Sequence, residues 1–175
     1  RRFNRLDVRV TRPGARVRYR SGFFGVSDDN ARRSAETGGR KLLSALMSPF
    51  AANEISLRLN ALFGSSAAQA PFIRSLLHIP AKDLTFIDEP DGSKKAVFDV
   101  LAVGFGDNGI PVEQISKTYS MSIKKEQFAA ALQKGFVYDF TFPMKKPGAY
   151  QLRVALRDHT SDKVGSANQF VEVPN

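Results

Sequence analysis

Two periodicities run along this chain. From Glu54 onward, Ile55, Leu57, Leu59, Ala61 and Phe63 alternate with Glu54, Ser56, Arg58 and Asn60. Period two is the mark of a half-buried strand, because successive side chains point to opposite faces. The rhythm recurs at Phe136, Tyr138, Phe140 and Phe142, and again at Tyr150, Leu152, Val154 and Leu156. Residues 72–79 are apolar on both faces, which predicts a central or covered strand. Residues 84–87 predict a short strand, 95–105 a long one, 111–123 a polar one at an edge, and 167–173 the last, stopped by Pro174. Between them stand turn formers: Asp88-Glu89-Pro90-Asp91-Gly92, Gly106-Asp107-Asn108-Gly109 and Pro143 to Gly148. Asn-Gly favours the turn whose twist matches antiparallel strands.

Helical spacing is scarce. Leu42, Leu43 and Leu46 share a side of a short helix over 40–47, closed by Pro49. Phe128, Ala131 and Leu132 mark a second helix, with Ser122 as its expected cap and Gly135 as its stop. Seven or eight strands with no βαβ rhythm predict an antiparallel immunoglobulin-like β-sandwich over 54–175. Its expected inward set is Leu57, Leu59, Val97, Leu101, Phe140, Tyr150, Leu152 and Val154.

The first quarter differs. Leu6, Val8 and Val10 alternate with Asp7 and Arg9, and Val17 and Tyr19 with Arg16, Arg18 and Arg20. Thr11-Arg12-Pro13-Gly14 lies between, fitting a type II turn. Residues 1–25 therefore predict a β-hairpin, and 26–53 a linker carrying the short helix. Charge follows the same division. Of a net +9 over 175 residues, positions 1–41 carry 12 basic and 4 acidic residues, and the remainder 14 and 13. The basic character belongs to the hairpin segment.

One face of that hairpin holds Arg5, Arg9, Arg16, Arg18 and Arg20. Like charges facing across strands repel. Solvent, a neighbouring domain or an anionic ligand offsets them. The anion reading would take nucleic acid, acidic polysaccharide or lipid headgroups, with affinity falling steeply in salt. Nucleic acid is disfavoured, because Tyr19, the one aromatic of the second arm, points to the apolar side and away from the arginines.

The absence of cysteine excludes disulfides, thiol chemistry and Cys-ligated metals, and no stretch reaches the roughly 18 apolar residues of a transmembrane helix. Asp158-His159-Thr160-Ser161 holds the residue types of a hydrolase triad, but neighbours on a turn point apart and no Gly-x-Ser-x-Gly elbow exists. Asp158 reads instead as a turn residue bonding loop amides. Asp88, Glu89 and Asp91 in one loop, with Asp158 and Asp162 in another, form a weak oxygen-ligand set for calcium, without EF-hand spacing. Gly104-Phe105-Gly106 and Gly38-Gly39-Arg40-Lys41 lack the phosphate-loop pattern. His78 reads as a packed or edge histidine. No cofactor is implied.

The run Phe3-Asn4-Arg5-Leu6-Asp7-Val8-Arg9-Val10, then Arg12-Pro13-Gly14, then Val17-Arg18-Tyr19-Arg20-Ser21-Gly22-Phe23, resembles the close of the von Willebrand factor type A-related domain of acidobacterial exported proteins. Pro147-Gly148-Ala149-Tyr150-Gln151-Leu152-Arg153-Val154, with Arg157-Asp158 and Gly165-Ser166, is similar to that family's C-terminal β-rich region. The resemblance implies a C-terminal portion of an exported bacterial protein, periplasmic, cell-surface or secreted. The 1–25 hairpin would be the end of an upstream type A-like domain, and the absence of an initiator Met is read the same way. It also implies a non-catalytic accessory role, adhesion-like or scaffolding, with a protein or cell-envelope component as partner. The family's metal-binding Asp-x-Ser-x-Ser run does not occur here, so none of its metal ligands carries over.

Overall fold

The computed structural model describes residues 2–11, 13, 22–25, 38–66 and 69–174. The chain divides into two compact units, Arg1–Thr37 and Gly38–Asn175.

In the first unit, β1 (Arg2–Arg5) pairs antiparallel with β2 (Gly22–Gly25). Arg5 faces Gly22 and Arg2 faces Gly25, and the expected turn over Arg12 and Gly14 lies outside the described residues. The strand expected over 6–10 does not form, and Leu6, Val8 and Val10 are 39%, 43% and 45% exposed. Alternation stabilises a strand only when a second layer buries the apolar face, and a two-stranded ribbon is marginal without one. The second expected arm, 16–20, lies outside the described residues.

The second unit is a two-sheet antiparallel sandwich. One sheet is ordered β3 (Arg58–Ser66), β4 (Gln69–Ile79), β8 (Phe136–Pro143). The other runs β10 (Val164–Val173), β9 (Gly148–Asp158), β6 (Lys94–Phe105), with β7 (Pro111–Ile123) on the far side of β6 and the short β5 (Ile87–Asp88) beside its first residues. The chain lays down two strands of the first sheet and crosses for β5, β6 and β7. It returns for β8 and crosses back for β9 and β10. This is the Greek-key order of an immunoglobulin-like sandwich. Among the described residues, no helix is long and apolar enough to cross a membrane.

The core joins Ile73, Leu77 and Ile79 of β4, Phe140 and Phe142 of β8, Phe98, Val100 and Ala102 of β6, and Leu152, Val154 and Leu156 of β9. Aromatic contacts bridge the sheets from Phe98 through Tyr119 and Tyr138 to Phe140 and Phe142, with centroids 4.9–5.6 Å apart. Offset and edge-to-face pairs of this kind add to the area they bury. Six of the eight expected inward residues belong to this core or pack on it; Val97 and Leu101 do not. On β6 the inward set is Ala96, Phe98, Val100 and Ala102, one residue out of phase with the expectation. The phase was ambiguous because both faces of β6 are apolar.

The reason is a helix. α1 (Gly38–Met47), expected within a linker, lies on the outer face of the second sheet and buries Leu42 and Leu46 against Val103, Phe105 and Ala155. That cover also buries Arg153, which alternation assigned to solvent and which is 7% exposed. Its Nη1 donates to the carbonyls of Leu46 (3.1 Å) and Ser48 (3.5 Å), and its guanidinium lies 5.7 Å from the Phe105 ring centroid. The final carbonyls of a helix lack intrahelical donors, so a cation satisfies them and complements the helix dipole.

Two further expectations shift. The strand expected from residue 54 begins at Arg58, because residues 52–55 run along β10 instead. Ser166 N–H donates to Ala52 O (2.9 Å), Ala52 N–H to Ser166 Oγ (2.8 Å) and Val164 N–H to Glu54 Oε2 (3.0 Å). The helix α2 (Lys125–Lys134) begins after Lys124, with no side-chain cap. Ser122 is still in β7, and its hydroxyl donates to Glu89 Oε2 at 2.9 Å.

Candidate functional site

The five arginines do not come together as a described site. Arg5 ends β1, while Arg9 lies beyond it and gives its Nε to Asp7 Oδ2 at 3.1 Å, both side chains well exposed. Arg16, Arg18 and Arg20 lie outside the described residues.

The acidic loops do not form a cation site either. Asp88 pairs with Lys94. Glu89 accepts from Ser93 Oγ (3.0 Å) and Ser122 Oγ (2.9 Å) and lies 3.4 Å from Lys95 Nζ. The Ser122 hydroxyl, then that of Ser93, holds its carboxyl below the usual range. Asp91 accepts from Ser93 N–H at 2.9 Å, closing the turn, and is lowered by that residue. Asp158 is fully buried and accepts backbone N–H groups from Thr85, Thr160 (2.8 Å) and Ser161 (3.3 Å). Asp162 takes Lys41 Nζ at 2.8 Å. Among the described residues, no three acidic or histidine side chains converge as metal ligands. The five candidate carboxylates do not come together: each is engaged within its own turn or by a neighbouring side chain. Asp158 takes the loop-bonding role expected of it.

The polar cluster that does assemble was not singled out in the sequence as a group. Asp99, in the middle of β6, stands opposite Thr118 on β7 and Arg157 on β9. It accepts from Thr118 Oγ1 at 2.6 Å and lies 2.8 Å from His159 Nε2 and 3.4 Å from Arg157 Nη2. Arg157 Nη1 is 3.5 Å from Asp162, whose other oxygen holds Lys41 of α1. The network thus crosses the outer sheet face from β7 to the helix. Its one sequence signal was an acid between Val97 and Leu101, within an apolar run that follows Lys94 and Lys95.

Partial burial raises the Asp99 pKa. The hydrogen bonds from Thr118 and His159 and the nearby charges of His159 and Arg157 outweigh it, leaving the carboxyl below its ordinary value. The group therefore contributes stability that is present above the unfolded carboxylate range and lost as pH falls through the folded value. Urea midpoints measured from about pH 6 to pH 2.5 should fall less steeply below about pH 4 in Asp99→Asn than in the parent. Equal acid limbs in the two proteins would contradict this.

The order of groups decides the chemistry. A hydrolytic relay sets the imidazole between an acid and a nucleophile. Here the acid lies between a threonine hydroxyl and the imidazole, so the base that would activate Thr118 is Asp99 itself. Arg157 and His159 instead hold that acid ionised. The arrangement ties β6 to β7 and β9. His78 also has a packing role: its Nε2 lies 2.9 Å from Lys134 O at the end of α2.

No family model matches the chain, and no curated protein does. Among solved structures, a β-glucuronidase of Bacteroides uniformis aligns with 67% of this chain and 13% of its own, at 13% identity and a TM-score of 0.40. Bacteroides uniformis β-glucuronidase 2, covalently bound to cyclophellitol-6-carboxylate aziridine, gives 12% identity and a TM-score of 0.38 over 67% of this chain and 13% of that one. The PKD domain of an M14-like peptidase from a Thermoplasmatales archaeon aligns over 68% of this chain and 93% of its own, at 12% identity and a TM-score of 0.35. The chain thus spans about an eighth of the glucuronidases it is similar to.

Proposed function

We propose that the chain is a non-catalytic accessory module of an exported protein, a sandwich that offers surface to a protein or cell-envelope partner. The observation that carries this reading is the Asp99 network. The histidine and carboxylate best placed for acid–base work brace strands, with the acid where a relay would need the imidazole. Asp158, which is fully buried, serves three backbone amides. The von Willebrand factor type A-related resemblance adds the setting. It is supported by the near coincidence of the basic first quarter of the sequence with the first compact unit, as a join between two units would produce.

Two measurements test the proposal. Chromogenic esters, glycosides and peptides should show no turnover above the rate with Asp99→Asn/His159→Ala; turnover that those changes abolish would make the protein an enzyme. The coding sequence upstream of Arg1 should hold an export signal and an Asp-x-Ser-x-Ser run. A gene with neither removes the exported, type A-related setting while leaving the first test standing.

A further inference from the structure

The sandwich has two seams where its sheets meet edge to edge, and they are closed unequally. At the seam between β3 and β10, the Gln169 carboxamide acts as a substitute strand. Its Oε1 accepts from Ala61 N–H (2.8 Å) and its Nε2 donates to Ala61 O (2.9 Å). Residues 52–55 then cover the start of β10 through the Asn53–Gly165 bridge and the bonds of Ser166 and Val164. At the opposite seam, the one described hydrogen bond between β7 and β8 joins the hydroxyls of Tyr119 and Tyr138.

That leaves β7 as an edge. At 13 residues it is the longest described strand, and among the described residues it pairs with β6 alone. Alternate residues of such a strand direct N–H and C=O groups away from the sheet, a template for another strand. Natural edges are blunted by proline, bulges or several charges. On β7 the register irregularity falls at its start, near Pro111 and Val112, and beyond it only Glu113 and Lys117 are charged. Gln114, Ser116, Lys117 and Thr118 are exposed.

We propose that β7 pairs with β7 of a second copy of this chain, antiparallel about a two-fold axis at Ile115. This inference stands independently of the proposed accessory role. Charge complementarity selects both partner and register. With the axis at Ile115, Glu113 of each copy faces Lys117 of the other, Gln114 faces Ser116, and Val112 faces Thr118. An axis at Gln114 or Ser116 leaves both charges facing uncharged residues. Opposite charges directly across an antiparallel pair are favourable, and like charges are not. A two-fold axis doubles every such contact, because the interface is the same patch twice. Self-association is also not opposed by the net charge of the sandwich, since residues 42–175 carry 14 basic and 13 acidic residues.

The experiment is sedimentation equilibrium of the full chain at about 0.15 M salt, where exposed pairs are only partly screened. The parent protein should form a dimer. Lys117→Glu, and separately Glu113→Lys, should raise the dissociation constant at least about tenfold. The double swap E113K/K117E should return it to within about threefold of the parent. Lys117 is exposed, Glu113 is half-buried with its Oε1 accepting from Gln114 N–H at 3.3 Å, and circular dichroism checks that the variants fold. Amide exchange at residues 113–117 should slow as concentration rises in the parent and not in K117E. A parent that stays monomeric to about 1 mM overturns the proposal. So does a dimer indifferent to the single changes, or one that the double swap does not restore. Protection of β7 that appears only on adding an extended peptide would give the edge to a foreign strand and equally overturn self-pairing.

Discussion

Gly165→Ala is expected to lower the unfolding free energy by about 3 kcal/mol, the upper part of the range for overpacking. Gly165 sits in β10 opposite Leu156, with Asn53 bridging from its other side. A Cβ there would come within 2.2 Å of the Ile55 carbonyl oxygen and 2.9 Å of the Ile55 Cβ. The nearest atom is backbone, so no rotamer change relieves the clash. Either residues 52–55 lift off β10, or β10 shifts away from β9. Lifting 52–55 breaks the bonds from Ser166 and Val164 and exposes Ile55, which is fully buried. Urea denaturation should show a lower midpoint with an unchanged m-value, as expected when stability rather than compactness changes. A loss below about 1 kcal/mol would show that the 52–55 segment yields cheaply and does not seal the edge.

Asp158→Ala should cost about as much, roughly 3 kcal/mol, by a different route. The carboxylate accepts three backbone N–H groups, from Thr85, Thr160 and Ser161. Thr160 and Ser161 belong to its own turn. Thr85 lies on the crossover between the sheets, after the short 3-10 turn Ala81–Asp83 and before β5. One side chain thus fixes the β9–β10 turn and pins the crossover against it. Removing it takes the acceptor from three part-buried donors, and a hydrogen bond to a charged group contributes about 1.5–3 kcal/mol. Asp158→Asn is the sharper test. It keeps the shape but sets an NH₂ against one of those donors, so it should recover well under half of the loss. In Asp158→Ala, amide exchange at Thr85 and Thr160 should accelerate together. If only Thr160 responds, Asp158 organises its turn and does not hold the crossover.

These two positions differ in how far the sequence announces them. Asp158 precedes a turn with His159, Thr160 and Ser161, and an acid there invites the role of binding loop amides. That it also reaches Thr85, 73 positions away, depends on the crossover passing the end of β9. Gly165 gives no local signal, because its constraint is the backbone of Ile55 arriving from another part of the chain.

The strand faces show the same division. On β8, Phe136 to Phe142 alternate and only one face is buried, so the pattern set the phase correctly. On β6 both faces are apolar, one toward the opposite sheet and one toward α1, and alternation could not choose between them. The same helix took Arg153 out of solvent. In the first unit the alternation at residues 6–10 was present, but those positions are exposed and form no strand.

By itself, then, the sequence determined the antiparallel sandwich, most strand positions, the hairpin at Asn108-Gly109, the stop of α2 at Gly135 and the concentration of charge in the first quarter. Each of these follows from neighbours within a few residues, where period and turn chemistry act directly. The tertiary structure alone decided that α1 covers a sheet, that Arg153 caps its end and that Gln169 closes one seam. It also gathered Asp99, His159 and Arg157 and left β7 paired, among the described residues, with β6 alone. Those outcomes depend on which element of the fold stacks against which, a contact between residues far apart in the chain, and local periodicity carries no record of it.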